Sequence, residues 1–168
     1  MKVKRFLAVL LTIVMCICSM PVLVTAEETA VAEVSTANGT ITFTSFQDAL
    51  DIADANDTIK ILKDTKYGTS ITKKINIIVP NGVTFNVEYY SRDDGVIQVM
   101  EPNIKVENGG IVKFSRYRLG AETCYLVMNG NMTIDSGATV EMCAGTTLSG
   151  VDYSGVLFLG TFKNNGTL

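Results

Sequence analysis

Three segments hold the side chains best suited to chemistry. Glu88–Gly95 reads Glu-Tyr-Tyr-Ser-Arg-Asp-Asp-Gly, Ser115–Thr123 reads Ser-Arg-Tyr-Arg-Leu-Gly-Ala-Glu-Thr, and Ala144–Gly155 carries Asp152 and Tyr153. The carboxylates Asp93, Asp94, Glu122 and Asp152 are of the type that holds calcium. Arg92, Arg116 or Arg118 beside them could take a proton from a sugar carbon next to a carboxylate. The rings of Tyr89, Tyr90, Tyr117 and Tyr153, set among the same charges, offer instead a contact surface for a sugar or a protein. A third reading is bland: Arg92 with Asp93 and Asp94 is a solvated turn, and Arg116 and Arg118 pair with Glu122. No histidine occurs in the 168 residues, which excludes Ser–His and Cys–His nucleophilic sites and His-ligated metal centres. These segments form a site only if the fold brings them together.

The repeat pattern suggests how that happens. From residue 75, period-2 runs recur, each broken at a polar-Gly pair: Asn81-Gly82, Asn108-Gly109, Ser136-Gly137 and Asn165-Gly166, spaced by 27, 28 and 29 residues. Three positions before each glycine stand Val79, Val106, Ile134 and Lys163, and five before stand Ile77, Ile104, Met132 and Thr161. Three and five positions after come Phe85, Val112 and Val140, then Val87, Phe114 and Met142. The fourth unit fits better when displaced by one residue, which puts Phe162 and Asn164 in the strand register. A second apolar run precedes each later unit: Val96–Met100, Tyr125–Met128 and Val156–Leu159. Short strands, Gly corners and a period near 28 predict an all-β fold, a parallel β-helix whose coils stack and share one apolar column. Glycine supplies the left-handed corner conformation, and Asn or Ser beside it can bond the turn or the next corner. An antiparallel sandwich is the alternative, with turns every 8–12 residues. In the β-helix the three polar segments stack on one side.

Upstream, residues 27–39 are small, polar and aperiodic, and read as a flexible leader. Order is expected from the alternating run Thr40–Thr44. A helix over 45–56 follows, capped by Ser45 with Asp48 three residues on and carrying Phe46, Ala49, Leu50 and Ala53 on one face. Thr58–Leu62 alternates again. Asp54, Asp57 and Asp64 lack calcium-loop spacing and read as helix-end and turn residues.

The stretch Phe46-Gln47-Asp48-Ala49-Leu50-Asp51-Ile52-Ala53-Asp54-Ala55-Asn56-Asp57-Thr58-Ile59-Lys60-Ile61-Leu62-Lys63-Asp64 resembles the opening of secreted pectin-lyase-like proteins. The resemblance extends loosely over residues 40–168 and implies a right-handed parallel β-helix whose column end is covered by a short helix. Within that group the chain is more similar to adhesin-type, repeat-rich bacterial surface modules than to polysaccharide lyases. No local motif carries the family's catalytic residues onto this sequence.

Residues 1–26 read as a secretory signal peptide. Lys2, Lys4 and Arg5 form a positive start, Phe6–Cys18 is apolar except for Thr12, and Val24-Thr25-Ala26 offers the small residues of a cleavage site. The apolar stretch is too short for a comfortable membrane span. Cleavage would remove three of the 14 basic residues and none of the 17 acidic ones, leaving 11 against 17 and a formal charge of −6. Such a chain has no electrostatic footprint for nucleic acid. Cys124 and Cys143 alone would remain, free to form one disulfide or stay as thiols; no cofactor is expected. The last residues, Asn164–Leu168, pass a corner without a further strand. An uncapped column end is therefore expected, with end-to-end self-association or continuation in a longer surface protein as its consequences.

Together these readings predict a non-enzymatic extracellular module that presents a loop face to host or cell-wall glycans or a surface protein. A fragment of a polysaccharide lyase or glycoside hydrolase, and a structural spacer without ligand, are the alternatives.

Overall fold

Alternating apolar and polar residues make strands throughout the computed structural model, which describes residues 29–90, 97–117, 125–143 and 155–167. The strands are β1 (Ala32–Thr36), β2 (Gly39–Phe43), β3 (Thr58–Ile61), β4 (Thr65–Tyr67), β5 (Asn76–Val79), β6 (Thr84–Tyr90) and β7 (Gln98–Met100). They continue as β8 (Asn103–Val106), β9 (Ile111–Tyr117), β10 (Tyr125–Met128), β11 (Met132–Ile134), β12 (Thr139–Cys143), β13 (Gly155–Phe158) and β14 (Phe162–Asn164). One helix among the described residues, α1 (Phe46–Ile52), lies between β2 and β3.

The chain visits three sheets in rotation. Sheet A has the order β14-β11-β8-β5-β3-β1-β2, sheet B the order β12-β9-β6-β4, and sheet C the order β13-β10-β7. Sheets B and C are wholly parallel. Sheet A is mixed: β3, β5, β8, β11 and β14 run parallel, while β1 is antiparallel to both its neighbours. The register carries the repeat through Ile77↔Ile104, Ile104↔Met132 and Met132↔Phe162. The last pairing contains the one-residue displacement expected from sequence. The repeat also starts earlier than residue 75, because β3 and β4 already pair with β5 and β6. Ile71 adds a bridge to Met100, which completes this shorter first level.

Inward residues of the three sheets form one core. Ile59, Ile77, Ile104 and Met132 of sheet A, with Phe85, Val112 and Phe114 of sheet B, are at most 1% exposed. Period-2 alternation makes this possible, since each strand sends every second side chain inward. At the corners, Gly82, Gly109 and Gly137 take φ of 74°, 76° and 82°. The peptide N–H of Gly82 donates to Gly109 O, and that of Gly109 to Gly137 O, both at 3.0 Å. A Cβ on Gly109 would collide with Asn81 Oδ1, and one on Gly137 with Asn108 Oδ1. Each corner Asn thus lies over the next glycine instead of bonding the next Asn.

The asparagine ladder is elsewhere, at the start of the sheet A strands. Asn103 Nδ2 donates to Asn76 Oδ1 (3.2 Å), Asn131 Nδ2 to Asn103 Oδ1 (3.1 Å), and Thr161 N to Asn131 Oδ1 (2.9 Å). Asn76 Nδ2 ends the row on Asn56 O.

Two expectations upstream are corrected. Part of the stretch expected to be a leader forms β1, with Ala32 and Val34 fully buried. Its alternation is short, but β2 and β3 supply hydrogen-bonding neighbours on both sides. The helix is shorter than 45–56. It begins where expected, with Ser45 Oγ accepting from the N–H groups of Gln47 and Asp48. It ends at Ile52, where Ala53 turns extended and Lys73 Nζ donates to the carbonyls of Leu50, Asp51 and Ala53 at 2.7–3.0 Å. Phe46, Ala49, Leu50 and Ala53 face the core as the spacing required. Asp57 Oδ2 accepts from Asp54 N, a local turn bond as expected, whereas Asp64 Oδ1 accepts from Thr84 N and so links two levels.

Candidate functional site

Strand register places the beginnings of the candidate site. In sheet B, Tyr89 pairs with Arg116 and Tyr90 with Tyr117, while Cys143 at the end of β12 pairs with Ser115. The strands that follow, β7, β10 and β13, lie side by side in sheet C. The three polar segments therefore leave from neighbouring strands and return to neighbouring strands. That juxtaposition follows from backbone pairing alone.

Individual residues fall out as follows. Tyr89 is corrected: it is 3% exposed and belongs to the core cluster, on the same side of β6 as Phe85 and Val87. Alternation decides this, because position 89 has the inward parity of 85 and 87. Tyr90, Arg116 and Tyr117 close their strands. Arg92, Asp93, Asp94, Arg118, Glu122, Asp152, Tyr153 and Cys124 lie outside the described residues, as do residues 1–26.

The outer face of sheet B leads up to those strand ends. Its register aligns Lys66, Asn86, Lys113 and Glu141 in one row. Lys66 pairs with Glu88 (3.6 Å) and Lys113 with Glu141 (2.9 Å). Lys66 is largely exposed, so its pair contributes little to stability. A depression of about 440 Å³ lies on this face, lined by Asp64, Thr65, Lys66, Thr84, Asn86 and Lys113. Asn86 Nδ2 reaches Glu88 Oε1 at 3.5 Å, and its buried Oδ1 has no hydrogen-bond partner among the described residues. An unmatched buried acceptor costs about 1–3 kcal/mol. Sequence reasoning missed this row. Its signal was present, because Asn86, Lys113 and Glu141 stand four residues after Gly82, Gly109 and Gly137.

Among the described residues, no three His, Cys, Asp or Glu side chains converge as metal ligands. No helix among them is long and apolar enough to cross a membrane. No protein-family model, curated protein or solved structure matches this chain.

Proposed function

We infer that the chain is a right-handed parallel β-helix module, exported from a bacterial cell, that contacts a glycan or protein without catalysing a reaction on it. The observation that supports this reading best is the shared origin of the three polar segments. Residues 90 and 117 are register partners at the ends of β6 and β9, and β12 ends beside them. The strand stack thus starts three segments containing Tyr or Arg, residue types that dominate binding surfaces, from adjacent strands. The sheet B depression, lined by Asp64, Thr65, Lys66, Thr84, Asn86 and Lys113, extends that surface with groups suited to hydroxyls.

Glycan-array binding of the purified protein tests the reading. Tyr117→Ala combined with Arg118→Ala is expected to lower binding at least tenfold, about 1.4 kcal/mol or more. Asn86→Leu, which replaces a polar lining residue of the depression at similar volume, is expected to weaken the same ligands. Binding that survives both changes removes this face as the site.

A further inference from the structure

Five Asn-Gly pairs occur in the sequence, at 38–39, 81–82, 108–109, 129–130 and 165–166. Each has the same latent chemistry. With no Cβ to shield it, the glycine nitrogen can attack the side-chain carbonyl carbon of the preceding asparagine, a residue labile to heat. In the folded chain the outcome depends on what holds the two groups.

At the corners they are held between levels. The N–H of Gly82 donates to Gly109 O and that of Gly109 to Gly137 O, both at 3.0 Å, while Gly130 N–H donates to Met100 O at 3.3 Å. The side chains are fixed as well. Asn81 and Asn108 lie against Gly109 and Gly137, and Asn129 Nδ2 donates to Glu101 Oε1 at 2.7 Å. Gly166 N–H donates to Asn164 Oδ1 at 2.9 Å. For Asn81, Asn108 and Asn129, nitrogen and carbon meet only if adjacent levels separate.

Asn38 is placed differently. It is exposed at the tip of the β1–β2 hairpin, where Thr36 pairs with Gly39. The bonds of this turn stay within the hairpin: Asn38 N–H donates to Thr36 Oγ1 (3.1 Å), which donates to Gly39 O (3.2 Å). The pairing of β1 with β3 stops at Ser35, so no further strand ties the turn down. The Asn38 side-chain amide makes no hydrogen bond among the described residues. Gly39 is required by the turn, because its φ of 131° is one that L side chains rarely adopt. The reactive pair is therefore built into the hairpin.

We propose that Asn38 is a site of spontaneous deamidation in the folded protein, with water as the co-reactant. The Gly39 nitrogen bonds to Asn38 Cγ, and the bond from Cγ to the side-chain nitrogen breaks. Ammonia leaves, carrying the proton lost from Gly39. Water then opens the cyclic imide at either carbonyl, giving an aspartyl or an isoaspartyl residue. Either product puts a carboxylate in the turn. The isoaspartyl form also adds a methylene to the backbone beside β1, whose Ala32 and Val34 are fully buried. The site belongs to sheet A and does not rest on the ligand reading of the sheet B face.

Peptide mapping by tandem mass spectrometry tests this on the folded protein held in mildly alkaline buffer. Position 38 is expected to lose its amide at least about tenfold faster than positions 81, 108 and 129. In guanidinium chloride the four are expected to convert at similar rates, since the reacting pair is the same. Asn38→Gln, whose cyclisation needs a larger ring, is expected to remove the early acidic species seen on ion exchange. Unchanged far-ultraviolet circular dichroism of that variant controls for folding. Equal rates at the four positions in the folded protein, faster loss at 81, 108 or 129, or conversion of Asn38 in denaturant alone would each overturn the proposal.

Discussion

Asparagine side chains carry two separate tasks in this molecule, set by their distance from the corner glycine. Asn81 and Asn108, one residue before it, lie over the next glycine and make a side chain there unacceptable. Asn76, Asn103 and Asn131, six residues before it, bond one another from level to level. Asn103 donates to Asn76 Oδ1 and accepts from both the backbone N–H and the side chain of Asn131. Each such bond is worth about 0.5–1.5 kcal/mol net at an exposed position. Asn103→Ala is therefore expected to lower unfolding stability by about 1–3 kcal/mol in urea. Asn103→Asp keeps the acceptor, loses the donor, and should fall between. Equal stabilities for all three proteins would show that the ladder is without energetic weight. The 27- and 28-residue spacing of these asparagines was visible in the sequence, but the glycine marked the corner more strongly and drew the ladder to the wrong place.

At the scale of elements, the sequence was most legible where one short segment decided its own structure. Ser45 and the 46, 49, 50, 53 spacing specified α1, and Lys73, distant in sequence, supplied bonds at its end. β1 was not legible, because Ala32 and Val34 are only two inward residues within a stretch of small and polar ones. Pairing with β2 and β3 makes it a strand, and that is a tertiary cause. Val34 is completely buried. Val34→Asp is expected to cost about 3 kcal/mol or more by placing an unpaired carboxylate in the core. A mobile leader would accept the change without loss, so urea denaturation of this one variant distinguishes the two. Tyr89 teaches the same lesson in reverse: its type suggested a contact surface, and its parity in β6 put it in the core.

For the whole molecule, contacts are made mainly between adjacent levels, so stability should vary along the axis. Ile104, Val106, Met132 and Ile134 are at most 1% exposed, whereas Val156, Phe158 and Phe162 are only partly buried and Leu157 is 51% exposed. Hydrogen exchange is expected to be faster in β12, β13 and β14 than in β5, β6, β8 and β9. Uniform protection along the chain would contradict a level-by-level fold.

Sequence alone determined the inward face of the repeated strands, the left-handed corners at Gly82, Gly109 and Gly137, though not at Gly166, and the displaced register of β14. These depend on local periodicity and residue type, which no fold can alter. Tertiary structure alone decided that β1 is a strand, that Asn76, Asn103 and Asn131 form the ladder, that Lys73 bonds the end of α1, and that β2 and β14 run the same way. Apart from the local β1–β2 hairpin, these depend on which segments become neighbours across 20 residues or more, a property of chain packing that no local pattern encodes.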